Sequence, residues 1–358
     1  MRTTRREGAT SGQGLSQMKV DTRKQITVFG GSGFLGRYVV HALAQRGHRI
    51  RVACRRPDLA YHLQIAGRLG QIQAIQANLR HPWSVERALE GSDHAVNLVG
   101  ILNEGGQQTF AALQAEGAGH VATAAAKAGI GLVQMSAIGA DAHSPSSYAR
   151  TKAEGEARVL SAVPDAVILR PSIVFGAEDQ FFNRFANMAR LSPALPLLGG
   201  GHTRFQPVFV NDVALAVAKA VDGEVAGGRV YELGGPEAMS FRAMMEEMLR
   251  VIERRRRFVS IPFGLAASMA GWMKALPGAP LTPDQVVQLQ IDNVVSDAAK
   301  ADGRTFEAFG ITPRTLAAVL PTYLVRFRPQ GQFTKPQPHD DRPAEDDSLP
   351  GDDGIAKA

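Results

Sequence analysis

From residue 24 onward the chain alternates short apolar runs with longer stretches in which apolar residues recur every three to four positions. The short runs lie at 26–29, 49–53, 72–76, 94–99, 131–135 and 166–169. They are rich in Val, Ile, Leu and Ala and too short for helices, so they predict strands. The stretches at 34–46, 84–90, 109–128 and 147–163 predict helices between them. Apolar strands separated by single helices predict an α/β fold, a Rossmann-type doubly wound parallel sheet with helices on both faces.

After residue 171 the rhythm changes. The pattern predicts a helix at 180–190, a Pro/Gly-rich loop at 193–201, a strand at 205–210 and a helix at 213–221. Pro207 places that strand at an edge or makes it start late. A further strand is predicted at 228–233 and a helix at 241–254. The rest to about 327 reads as mostly helical, with breaks at Pro262, Pro277, Pro280 and Pro283. This gives four regions: a disordered segment at 1–24, a sheet domain at 25–235 with an insertion at about 172–204, a smaller lobe at 236–327 over the sheet's carboxyl edge, and a disordered acidic tail at 328–358.

The 358 residues, 44% hydrophobic and 21% charged, suit one large or two smaller globular domains. Cys54 is the single cysteine, which excludes an intrachain disulfide and points to a reducing, cytoplasmic setting. Nine scattered histidines lack metal-binding spacing, so no metal is expected. The formal charge of +6 comes with only 6% aromatics and no basic–aromatic stripe, which argues against nucleic acid. An anionic cofactor, an acidic partner or an anionic membrane surface accounts for the charge better. No apolar run reaches the length of a spanning helix. The N-terminus lacks the apolar core of a secretory signal, and Met18 is a second candidate start.

Between the first strand and the first helix stands Gly30-Gly-Ser32-Gly33-Phe34-Leu35-Gly36-Arg37. Glycines spaced this way let the chain turn sharply, let backbone approach a pyrophosphate and pack helix closely on strand. The helix N-terminus adds N–H donors, so a dinucleotide site is expected here. The second strand ends in Cys54-Arg55-Arg56, with no carboxylate for a ribose hydroxyl. A guanidinium there pairs with a 2′-phosphate, so NADP(H) is favoured over NAD(H), with Arg55 as the reader and Arg37 as a second contact. Asn78 and Leu79 end the third strand and Val99 the fourth. They read either as walls of the adenosine site or as ordinary strand-end turns.

Tyr148 and Lys152 stand four apart on a predicted helix and therefore share a face. A nearby ammonium is expected to lower the phenol pKa, which suits proton transfer to a carbonyl beside a nicotinamide. Ser136, at the end of the fifth strand, is placed to polarise that carbonyl. A lone Tyr-x-x-x-Lys is otherwise a common surface pair, and its company with Ser136 and the glycine turn is what makes it a candidate catalytic set.

These residues resemble the short-chain dehydrogenase/reductase superfamily, in its extended or atypical branch. Several runs are more specific: Phe29–Val39, Ser136–Asp141, Tyr148–Glu156, Leu169-Arg-Pro171-Ser-Ile-Val-Phe-Gly176, Glu178–Asn183, Gln206–Asp212, Pro283–Val286 and Asp292–Ser296. Over about 24–330 they resemble the bacterial form of the complex I accessory subunit family called alpha subcomplex subunit 9. The resemblance implies bound NADPH, with Pro171 among its contacts, complex I subunits as partners, and a peripheral place on the inner membrane face, the matrix side in a mitochondrion. It does not imply turnover, because members of that family keep Ser, Tyr and Lys as structural subunits. Asn78 departs from the Asp usual at its position.

Two features of the smaller lobe stay open. The apolar stretch 261–276, with Phe263, Trp272 and Met273, is either lobe core or a surface for lipid or a partner. Arg254–Arg257 is either a helix end favoured by positive charge or part of a basic, apolar face suited to anionic lipid. Two functions follow: an NADP(H)-binding component of complex I or of its assembly, or an NADPH-dependent oxidoreductase acting on a carbonyl or alcohol in quinone or lipid metabolism.

Overall fold

The computed structural model describes residues 23–273 and 281–329. The expectations for the two terminal tails, for the side chain of Met273, and for Pro277 and Pro280 lie outside the described residues. Six strands, β1 (Gln25–Phe29), β2 (Arg49–Cys54), β3 (Ile72–Gln76), β4 (His94–Asn97), β5 (Gly131–Met135) and β6 (Val167–Pro171), fall close to the apolar runs. Short strands follow: β7 (Val174–Phe175), β8 (Ala194–Leu198), β9 (Arg204–Phe205), β10 (Val208–Phe209), β11 (Arg229–Leu233), β12 (Met239–Ser240) and β13 (Arg257–Ile261). The main sheet has seven parallel strands in the order β11-β6-β5-β4-β1-β2-β3.

The order reverses between β1 and β4, and a crevice opens there at the strands' carboxyl ends. Helices α1 (Phe34–Gln45), α2 (Pro82–Leu89), α3 (Glu116–Ala128) and α4 (Ser147–Ala162) lie between strands of the sheet. In the remainder run α5 (Phe182–Leu191), α6 (Val210–Asp222), α7 (Phe241–Val251), α8 (Phe263–Met273) and α9 (Pro283–Gln288). One face of the sheet buries Val39, Val40 and Leu43 of α1 with Val213, Val217 and Val221 of α6. The other buries Val85, Val121, Ala125 and Val159 of α2, α3 and α4. A separate core in the smaller lobe gathers Phe175, Phe182, Met244, Met248 and Leu320.

Three local expectations are corrected. Part of the predicted loop at 193–201 is β8, paired in parallel with β13 from Ala194–Arg257 to Leu198–Ile261. The predicted strand at 205–210 is split into β9 and β10 around Gln206 and Pro207, and Val210 already opens α6. The helix predicted from 109 begins with a π turn over Ala111–Ala115. Close by, α4 comes so near that a Cβ on Gly155 would sit 2.2 Å from the Gln114 carbonyl oxygen.

Candidate active site

The glycine turn crosses the crevice. Gly30 has a φ of +78°, which favours glycine, and a Cβ on Gly36 would lie 2.3 Å from the Gly30 carbonyl oxygen. Only hydrogen fits at Gly36, so α1 starts directly against the strand end. A cavity of about 390 Å³ opens above it. Gly30, Ser32, Gly33, Phe34, Leu35 and Gly36 form its floor, and Arg55, Asn78, Leu79 and Val99 line it from the strand ends. Ten of the twelve proposed cofactor positions therefore meet in one space. Arg37 and Pro171 do not. Arg37 turns to Glu178, 3.5 Å away, and Glu178 also accepts a 2.6 Å hydrogen bond from Tyr38. Pro171 is buried at the end of β6, where its carbonyl accepts from Ile138 N–H.

The charge of the cavity is one-sided. No carboxylate is among the described residues lining it, whereas Arg55 and Arg80 both are. Arg56 spends its charge on Asp58 at 2.9 Å, and Arg55 has no such partner among the described residues. Arg80 donates to the neutral Gln107 side chain at 2.6 Å. Asn78 is partly engaged in turn geometry, since its side-chain oxygen accepts from Arg80 N–H at 3.2 Å.

Past the cavity stand the groups suited to proton transfer. Ser136 is 5% exposed, and its hydroxyl has no hydrogen-bond partner among the described residues. Lys152, 6% exposed, donates to the carbonyl of Met135, the residue before Ser136, at 3.3 Å. Its Nζ lies 5.9 Å from the centroid of the Tyr148 ring. Gly100 leaves room for it: a Cβ there would stand 3.2 Å from that nitrogen. Burial brings the Lys152 amine down to about 8.

The expected lowering of the tyrosine pKa is not found. Burial, reinforced by the charge of Asp284, pushes the Tyr148 phenol up to about 12. Desolvation disfavours the phenolate, so the phenol is held in its protonated form.

A dinucleotide fits this arrangement. The crowded Gly36, walls free of carboxylates among the described residues, and an Arg55 without a counter-ion among them suit such a ligand. Residues 26–234 match the family described as NAD dependent epimerase/dehydratase family. The chain belongs to that family. It is 34% identical to the Arabidopsis thaliana mitochondrial protein named NADH dehydrogenase [ubiquinone] 1 alpha subcomplex subunit 9, over 85% of this chain and 78% of that one. It is 32% identical to a ceramide reductase of Caulobacter vibrioides, over 68% and 76%. Its fold is similar to that of an NADPH-dependent quinone oxidoreductase of Escherichia coli solved with NADPH, with a TM-score of 0.66 at 21% identity, covering 83% and 99% of the two chains. The fold is thus an NAD(P)-binding one, and the resemblance noted on sequence motifs is that of the curated relatives.

Sequence reasoning missed Arg80, Cys54 and Gln108 as cavity walls. Arg80 carried a signal, since it follows Asn78-Leu79 at a strand end. It also missed the reach of Asp284 to Tyr148, which joins residues 136 positions apart.

Proposed function

We propose that this chain is an NADP(H)-binding accessory or assembly-associated component of respiratory complex I, peripheral on the inner membrane face. The assembly half is supported by the 34% identity to a complex I subunit across 85% of the chain. The choice of NADP(H) over NAD(H) rests on one observation: a cavity with two guanidinium groups and no carboxylate among its described lining. Arg55 would take the 2′-phosphate, the N–H groups of the turn at Gly33–Gly36 the pyrophosphate, and Lys152 the nicotinamide ribose.

Attachment to an anionic membrane is supported by α8. Leu265, Met269 and Trp272 are 56%, 44% and 86% exposed on it, and the exposed Arg255 and Arg257 precede it. No described helix is long and apolar enough to cross a membrane. Arg254, in the same run, is held below its ordinary value by burial and by the nearby Arg256 and Arg190, so positive charge is crowded here. Anionic headgroups would relieve that crowding. Native electrophoresis of membranes solubilised in mild detergent tests the assembly reading. Migration with complex I is expected, and a chain found only free of it would contradict the proposal.

A second reading is favoured by the orphan hydroxyl of Ser136. In it the protein is an oxidoreductase acting on the carbonyl or alcohol of a lipid-like or quinone substrate; the Caulobacter relative is named a ceramide reductase. Bound NADPH would supply the hydride. Ser136 would donate a hydrogen bond to the carbonyl oxygen, Tyr148 would deliver the proton to it, and the Lys152 ammonium would ease the loss of that proton.

A further inference from the structure

The run Pro283-Asp-Gln-Val286 has no part in the cavity, yet it reaches the helix that carries Tyr148 and Lys152. A capping box fixes the start of α9, with Thr282 and Gln285 bonding to each other's backbone. Asp284, in the first turn, then extends to the N-terminus of α4. One carboxylate oxygen accepts from Ser147 N–H at 2.7 Å. The other accepts from the Ser146 hydroxyl at 2.8 Å, from Tyr148 N–H at 3.4 Å and from the Gln288 amide at 2.8 Å. Free N–H groups and the helix dipole both favour a carboxylate at that place.

The same short helix touches two other parts. Gln285 donates to the Asn103 side chain at 3.1 Å, in the loop after β4 that lines the cavity through Ile101 and Gln108. Val286 is 1% exposed and packs with Ala266 and Ala270 of α8, whose other side carries Leu265, Met269 and Trp272. A continuous set of contacts therefore runs from the cavity through α4, Asp284 and Val286 to the exposed apolar face.

We propose that Asp284 is a positioning residue that couples occupancy of the nucleotide cavity to the seating of α8 and α9. While Asp284 holds the first turn of α4, Lys152 stays at the cavity edge and α9 stays docked. A ligand that fixes Lys152 fixes α9 through it, and by reciprocity a partner that fixes α8 tightens the ligand. The carboxylate also acts on the reactive hydroxyl, since its charge adds to burial in holding up the Tyr148 phenol.

The inference rests on reading the cavity as an NADP(H) site, and the test separates the two. Hydrogen exchange of the full chain is followed with and without saturating NADPH in wild type, Asp284→Ala and Asp284→Asn. In wild type, NADPH should slow exchange at the glycine turn, in the first turn of α4 and in α9. Asp284→Ala should keep the slowing at the glycine turn, lose it in α9 and bind NADPH about tenfold more weakly. Asp284→Asn keeps one oxygen for Ser147 N–H and should retain part of the slowing, which also decides the matter if the alanine variant does not fold. A purely local cap would leave the slowing in α9 the same in all three proteins, and that result overturns the proposal. So does wild type protected at the glycine turn but not in α9. No slowing at the glycine turn would overturn the cofactor reading itself.

Discussion

The cavity and the seam between the sheet and the smaller lobe treat polar groups in opposite ways. Among the described residues, Arg55 in the cavity wall has no counter-ion, and past the cavity Ser136 is buried without a partner. In the seam, carboxylates and amides are closely matched. Asp179 accepts from Gly176, Phe182 and Asn183 N–H and from the Tyr323 hydroxyl. Asn293 takes the Ser172 hydroxyl and donates to the Ile138 carbonyl. Gln206 bonds Gly235 and Val295, and Asp212 accepts from Arg314 N–H. Unmet groups at a crevice mark where a ligand completes the structure, and matched groups mark where the chain completes itself. The two kinds of sequence motif divide along the same line. The glycine turn, general to the superfamily, lines the cavity, while the runs specific to the resembled family, Glu178–Asn183, Gln206–Asp212, Pro283–Val286 and Asp292–Ser296, build the seam.

This division predicts that cavity variants change binding or turnover at constant stability, and that seam variants do the reverse, apart from Asp284, which reaches α4. The largest effect is expected at Tyr148. Tyr148→Phe should reduce any NADPH-dependent carbonyl reduction by about 10²–10⁴-fold and leave NADPH affinity nearly unchanged, as measured by steady-state rates beside a binding titration. Equally slow NADPH oxidation by both proteins would leave Tyr148 without a catalytic role.

Next comes the internal ion pair. Glu156 of α4 takes two hydrogen bonds from Arg170 of β6, at 2.8 and 2.6 Å, and Arg170 lies 3.7 Å from Glu232 of β11. Glu156→Ala leaves a guanidinium poorly compensated and should cost about 3 kcal/mol in denaturant unfolding. A loss of NADPH affinity without loss of stability would break the comparison.

The smallest effect concerns pH. The Lys152 amine in the folded protein sits near 8, below its ordinary value of 10.5, because burial disfavours the cation. Between those values the unfolded chain holds a proton that the folded one lacks, so stability rises with pH across that window. Affinity for an anionic dinucleotide should move the other way and weaken as pH rises through 8. Lys152→Gln should flatten that slope in a titration series, and an unchanged slope would remove Lys152 from the site.

Much of this was legible in the sequence, for physical reasons. The central strands β1, β4, β5 and β6 are buried on both faces and read as largely apolar runs. The glycine turn and Tyr148-x-x-x-Lys152 are local patterns with local consequences. What could not be read depended on distant partners. Strand β8 carries Pro196 and stands beside Gly199–Gly201, and it is a strand only because β13 pairs with it. Arg37 was expected at the phosphate, but Glu178, far along the chain, holds it. The Tyr148 phenol was expected low because its amine neighbour is visible in sequence, whereas burial and Asp284 are not.

The central claim is that the cavity selects a nucleotide carrying a 2′-phosphate through Arg55. Titration of NADPH and NADH into wild type and Arg55→Asp tests it most directly. Wild type should bind NADPH at least about tenfold more tightly than NADH, the worth of one charge-assisted contact, and the variant should lose that preference while keeping its affinity for NADH. Equal affinity of wild type for both nucleotides, or equal losses for both in the variant, would contradict the account.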